Sequence, residues 1–203
     1  KHAQASKGFF SLALSGGKSP RQLLSLLARA KDINWQKTWV FMVDERLVPE
    51  HSADSNLGQA KKLLLNQVPI PQEQILAPLS ELSFNEAAKE YEKRIIKVFG
   101  FNFPELDVVQ LGMGTDGHTA SLFPASPQLE EKTRLVVGLP ARGTPAIPRV
   151  SMTLPLINAA KLVFFLFQGE QKAALLQRIQ KEMSDLPAAR VAPKGELYWL
   201  LAC

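Results

Sequence analysis

The stretch LDVVQLGMGTDGHTASLFP, residues 106–124, opens with an apolar run (106–111) that reads as a buried strand. It breaks at once into three glycines, Gly112, Gly114 and Gly117. Glycine adopts backbone conformations that other residues resist, so a tight turn is expected where the strand ends. Asp116 and His118 lie inside that turn. A titratable imidazole held on a glycine turn at a strand's carboxyl end is how open α/β sheets present chemistry.

The flanking sequence supports that fold class. Upstream, 9–14 is a short apolar strand closed by Ser15-Gly16-Gly17. Ser19 is placed to cap a helix with Pro20 at its first position, its leucine pairs recurring through Ala30. A strand at 38–43 ends in Asp44-Glu45-Arg46, and 54–67 has a helical pattern. Ser83-Phe84-Asn85-Glu86 spells a capping box that opens a helix to about residue 99. Downstream, strands are expected at 134–139, 149–154 and 161–167, an amphipathic helix at 169–183, and a last strand at 196–201. Residues 140–148, rich in proline and glycine, form the expected flexible connection. Strands alternating with helices, several apolar on both faces, predict an α/β fold: an open, mostly parallel sheet with helices on both faces.

Composition narrows the function. A chain of 203 residues, 46% of them hydrophobic, has enough apolar material for one core, and a single domain over 1–203 is expected. The first residue is Lys1 and a strand follows almost at once, so an amino-terminal segment is expected to be missing. The net charge of +5 suits an anionic ligand such as a sugar phosphate, and equally describes a mildly basic surface. Lys and Arg are scattered rather than clustered with aromatics, which argues against nucleic acid. The lone cysteine, Cys203, excludes an internal disulfide and a cysteine-based metal cluster. No apolar run approaches the roughly 18 residues of a membrane span, and no signal peptide is expected. A cytoplasmic enzyme or binding protein with a small-molecule ligand is the expectation.

Three strand ends carry candidate chemistry, and in a parallel sheet such ends meet at one edge. In Ser15-Gly16-Gly17-Lys18-Ser19-Pro20, glycines before a helix bare backbone N–H groups toward an anion; the same pattern also makes a plain strand-to-helix turn. The spacing of a nucleotide-triphosphate loop is absent. In Val43-Asp44-Glu45-Arg46, followed by His51, Ser52 and Asn56, Arg46 has the planar fork that grips phosphate, and Asp44 suits a ligand hydroxyl or another loop. A solvated loop is the alternative. Gly112, Gly114 and Gly117 also spell G-x-G-x-x-G, but the turn follows a third strand rather than the first, and Asp116 would repel a pyrophosphate. Thr119-Ala120-Ser121 has the composition to start a helix, whose amino terminus would favour neutral, basic His118. His118 is alternatively a structural residue. His2 and His51 are expected at the surface, no metal site is expected, and no serine-hydrolase elbow is present.

Taken together and in order, LSGGKSP (14–20), VDERLVPEHSADSN (43–56) and LGMGTDGHTASLFP (111–124) resemble the 6-phosphogluconolactonase family. PRVSMTLPLINAAKLVFFLFQGEQKA (148–173) and LPAARVAPKGELYWLL (186–201) extend the likeness over nearly the whole chain. The resemblance implies a Rossmann-like open sheet and hydrolysis of 6-phospho-D-glucono-1,5-lactone to 6-phosphogluconate, in the oxidative pentose phosphate pathway, with no cofactor. His118 would be general base to the water and then acid to the ring oxygen. Asp116 would orient it or cap the turn, and N–H groups of the glycine turn, Gly114 included, would meet the oxyanion. Gly16, Gly17, Lys18, Asp44 and Arg46 would bind substrate, with Arg149 and Lys172 as further phosphate contacts; Lys172 also suits an ordinary helix surface. Two departures stand out. Family members usually carry a helix and strand before the glycine loop, and this chain has Thr144-Pro145-Ala146-Ile147-Pro148 where a lysine and prolines often precede Arg149. The alternatives are a glucosamine-6-phosphate deaminase, whose D-G-H turn continues toward F-N-E-P, and a non-catalytic sugar-phosphate binder. Ser121-Leu122-Phe123-Pro124 lacks the acid that the deaminase chemistry needs.

Overall fold

The first two strands of the central sheet alternate apolar side chains to both faces, and two separate cores result. The computed structural model describes residues 8–143, 145–181 and 185–202. Along the chain the strands are β1 (Phe10–Leu14), β2 (Thr38–Met42), β3 (Asp44–Arg46), β4 (Ile75–Leu76), β5 (Val108–Leu111), β6 (Val136–Arg142), β7 (Ile147–Met152), β8 (Leu162–Gln168) and β9 (Glu196–Ala202). The α-helices are α1 (Arg21–Leu27), α2 (Asn56–Leu63), α3 (Phe84–Val98), α4 (Leu154–Asn158) and α5 (Glu170–Lys181). Six strands form one sheet in the order β4-β2-β1-β5-β8-β9, every pair parallel.

Leu12, Leu14, Val40 and Met42 point to one face, where they pack with Leu24 of α1 and with Ala60 and Leu64 at α2. Their neighbours Ala13 and Phe41 join Val109, Leu111, Val163, Phe165 and Phe167 on the other face. There they meet Ala87, Ala88, Tyr91 and Ile95, the helically spaced apolar stripe of α3. The capping box forms as expected, the Ser83 hydroxyl accepting from the Glu86 N–H and the Glu86 carboxylate from the Ser83 N–H. The Tyr91 hydroxyl donates to the Met42 and Leu76 carbonyls, fastening α3 to the sheet near the site described below.

A second sheet, β3-β7-β6, is antiparallel and was not anticipated. Asp44-Glu45-Arg46, expected as a loop, is its first strand. Val43 makes the transfer: its N–H donates to Leu14 in the parallel sheet and its carbonyl accepts from Met152. The 140–148 segment is largely the β6–β7 hairpin, with Arg142 paired to Ile147; Thr144 lies outside the described residues. Pro20 is the cap residue rather than the first helical residue, Ser19 makes no cap, and α1 is shorter than expected. The 54–67 pattern splits into α2 and a 3-10 turn, Leu65–Gln67. The end of the 169–183 helix, His2 and Cys203 fall outside the described residues. Among the described residues, no helix is long and apolar enough to cross a membrane.

Candidate active site

From β1 the chain builds outward through β2 and β4, then returns to place β5 on the other side of β1. The carboxyl ends of β1 and β5 therefore flank the point where strand order reverses, the natural crevice of an open α/β sheet. The 15–20 loop follows β1, the glycine turn follows β5, and β3 leaves β2 one residue beyond its end. All three line a single cavity of about 220 Å³.

The glycine turn is closed by its own backbone. The Gly114 N–H donates to the His118 carbonyl at 2.8 Å, and the Gly117 N–H to the Gly114 carbonyl at 3.1 Å. Gly117 has φ of 81°, where a side chain is strained. A Cβ at Gly114 would land on the His118 ring and the Asp116 carboxylate, so the missing side chain is what lets them approach. Asp116 Oδ1 lies 2.5 Å from His118 Nδ1 and also accepts the His118 backbone N–H at 3.1 Å. With Nδ1 engaged, Nε2 is the nitrogen left for water or ligand. Burial alone would push the Asp116 carboxyl up, but the N–H, charge and ring of His118 together hold it below its ordinary range. The Phe123 ring packs on the imidazole, centroids 4.8 Å apart.

No helix follows His118. Thr119 and Leu122 instead form an isolated antiparallel bridge, with Ala120 at φ of 51°. The expected helix dipole is therefore not what acts on the imidazole; the Asp116 carboxylate is the charge beside it. The expectation that the turn's N–H groups meet an oxyanion also changes, since those of Gly114 and Gly117 are used within the turn. Gly16 and Gly17, by contrast, donate no backbone hydrogen bond among the described residues.

Alternation along β3 sends Asp44 and Arg46 to the cavity and Glu45 away from it. Glu45 accepts from the backbone N–H groups of Asn56 (2.7 Å), Leu57 (2.6 Å) and Arg46 (2.8 Å), joining β3 to the start of α2. Burial pushes its carboxyl up to about 7, against the pull of those three N–H groups. Asp44 is held from behind by the Ser121 hydroxyl, which donates to Oδ2 at 2.6 Å. Arg46 pairs in register with Arg149 of β7, and both side chains line the cavity. The Nε atoms of both arginines are buried without a hydrogen-bond partner. Burial, then the Arg46 charge, lowers the Arg149 guanidinium from its ordinary range. Lys172 joins from the first turn of α5, its ammonium lowered by burial. With Lys18, the cavity collects four cationic side chains against one carboxylate, Asp44. That is an anion-binding electrostatic field. Among the described residues, no group of three or more His, Cys, Asp or Glu side chains is arranged to hold a metal ion.

The profile of the family described as glucosamine-6-phosphate isomerases/6-phosphogluconolactonase matches residues 1–199. The chain belongs to this family. The 6-phosphogluconolactonase of Homo sapiens is 40% identical over 200 residues, covering 95% of this chain and 78% of the human protein. That of a Nostoc species is 41% identical over 202 residues, covering 96% and 82% of the two chains. The crystal structure of 6-phosphogluconolactonase from Thermotoga maritima superposes with a TM-score of 0.89 at 30% identity, over 98% of this chain and 88% of that one. The parallel sheet expected from the sequence is thus the fold of the family.

Of the residues singled out from the sequence, His118, Gly16, Gly17, Lys18, Asp44, Arg46, Gly114, Arg149 and Lys172 all line the one cavity. Asp116 does not line it and acts through the His118 ring. His51 lies apart, in a separate polar depression with Lys61 and Lys62. Sequence reasoning missed Ser15, whose buried hydroxyl has no partner, and it missed Ser121 and Glu45, which brace β3. Each lies within the matched motifs, but only the fold shows what it touches.

Proposed function

We propose that this chain hydrolyses 6-phospho-D-glucono-1,5-lactone to 6-phosphogluconate, as the names of its relatives indicate of them, and that it does so in the cytoplasm. The observation that carries the reading is the shared cavity: a His118–Asp116 pair on the β5 turn and a double-arginine site on β3 and β7. The phosphate sits against Arg46 and Arg149, with the Gly16 and Gly17 N–H groups and Lys172 beside it. Charge-assisted bonds to a doubly charged phosphate are the strong kind, and they orient the remote lactone carbon.

His118 Nε2 takes a proton from water as the oxygen attacks the C1 carbonyl, giving a tetrahedral oxyanion and an imidazolium. Asp116, fixed on Nδ1, holds the ring in place and steadies the positive charge. The oxyanion forms in a cavity where four cations outnumber one carboxylate. Collapse breaks the bond from C1 to the ring oxygen, and His118 returns its proton to that oxygen. A general base of this kind supplies about 10²–10⁴-fold. Asp44, held by Ser121, is placed to accept from a sugar hydroxyl.

The deaminase alternative is disfavoured because Ser121-Leu122-Phe123-Pro124 offers no carboxylate beside the imidazole, where Phe123 packs instead. Acid release from freshly prepared lactone, corrected for its spontaneous hydrolysis, tests the reading. Turnover above background without added metal supports it. Turnover at background, or turnover lost to a chelator and restored by zinc, overturns it.

A further inference from the structure

Asn56 lies where three site elements meet. It is the first residue of α2, 3% exposed, and it lines the cavity. Its backbone N–H donates to Glu45, its side-chain Nδ2 donates to the Asp44 carbonyl at 2.9 Å, and its Oδ1 accepts from Arg46 Nη1. Its amide also fills the space that a Cβ on Gly16 would need, so the glycine loop packs directly on it.

The chemistry of these contacts is selective. Arg46 Nη1 is held by Asn56 Oδ1 and by the Asp54 main-chain carbonyl at 3.1 Å. Arg149 is held by the Pro145 carbonyl at 3.2 Å. Every one of those acceptors is neutral, and among the described residues neither arginine forms an ion pair. A buried arginine is commonly anchored by a carboxylate, which would cancel the charge that an anionic ligand needs. A neutral amide fixes the guanidinium plane and leaves its charge for the ligand.

We infer that Asn56 is a positioning and specificity residue: it orients Arg46 toward the substrate phosphate without neutralising it. The inference rests on the lactonase reading. Asparagine at this position therefore sets the preference for phosphorylated over unphosphorylated lactones.

Two variants and one cycle test it, with binding of 6-phosphogluconate and kcat/KM on phosphorylated and unphosphorylated lactone as readouts. Asn56→Asp is nearly isosteric and keeps the acceptor for Arg46, but it loses the donor to the Asp44 carbonyl and places a carboxylate on the guanidinium, so an unchanged melting temperature is checked alongside. It should weaken product binding and kcat/KM for the phosphorylated lactone by about tenfold or more, and by clearly more than it lowers kcat/KM for the unphosphorylated lactone. Asn56→Ala frees the guanidinium and should cost about five- to tenfold in product binding. In an Arg46→Ala background the same Asn56→Ala change should cost little more, because the group it positions is gone. Equal losses on both lactones, an unaltered phosphate preference, or an undiminished Asn56→Ala effect without Arg46 would each overturn the assignment. An inactive parent chain would instead overturn the lactonase reading, while product binding would still report on Asn56.

Discussion

Arg46 and Arg149 stand directly opposite one another in the antiparallel β3–β7 pair, two guanidinium groups on the same face of a three-stranded sheet. Like charges in that position destabilise a sheet, by roughly 0.2–1 kcal/mol on the scale of cross-strand pairs. Burial adds to the cost, as the lowered Arg149 guanidinium shows. On the proposed reading, a doubly charged phosphate between them would remove the repulsion. Inorganic phosphate or 6-phosphogluconate should therefore raise the melting temperature, and more so at low ionic strength. A melting temperature indifferent to phosphate would remove this role from the pair.

Arg46→Ala should weaken 6-phosphogluconate binding by about ten- to a hundredfold, the worth of one hydrogen-bonded guanidinium–phosphate contact. Its effect on an unphosphorylated lactone should be far smaller, because that substrate never uses the contact. Equal losses on both would show that Arg46 supports β3 rather than the phosphate, leaving Arg149 and Lys172 as the grip.

His118→Ala should lower turnover by about 10²–10⁴-fold with the circular dichroism spectrum and melting temperature retained. Asp116→Asn should cost less than His118→Ala, since it disturbs only the orientation and charge of the ring. Near-normal turnover in the histidine variant, or its failure to fold, would return His118 to a structural role.

At Gly114 an alanine has no room, because its Cβ would meet both members of the His118–Asp116 pair. Gly114→Ala should reduce kcat by about tenfold or more, since small displacements of a reacting group are costly. Product binding through Arg46 and Arg149, which the substitution does not touch directly, should fall less than kcat. Unchanged kcat would mean that the pair tolerates displacement and that its close contact is not what sets the rate.

Glu45 makes stability depend on pH. Its folded-state value of about 7 lies above the ordinary 4.5, so between these limits the folded chain binds more protons than the unfolded chain. Its contribution is complete below about 4.5 and is lost as pH rises through about 7, a swing on the order of 3–4 kcal/mol at most. Denaturant midpoints should fall between pH 5 and pH 8 more steeply for the parent than for Glu45→Gln. Parallel slopes would show that Glu45 does not titrate in this range.

Much of the fold was legible in the sequence because its signals are local. Apolar runs ending in glycine or charge mark β1, β2 and β5, and the Ser83–Glu86 box marks the start of α3. Those signals, with the three motifs, determined the parallel sheet, the family, and every residue of the expected binding set that lines the cavity. The sequence by itself did not determine that Asp44-Glu45-Arg46 is a strand, since three polar residues carry no apolar alternation and acquire strand geometry only by pairing with β7. It did not determine that Thr119-Ala120-Ser121 is a turn rather than a helix, because the Ser121 bonds to Asp44 and Ser151 outweigh local propensity. Nor did it determine that Arg46 would face Arg149, or that Asn56 would hold Arg46. The physical reason is common to all of these: hydrogen-bond register and charge pairing between segments far apart in the chain depend on how the two sheets dock, and no local pattern encodes that distance.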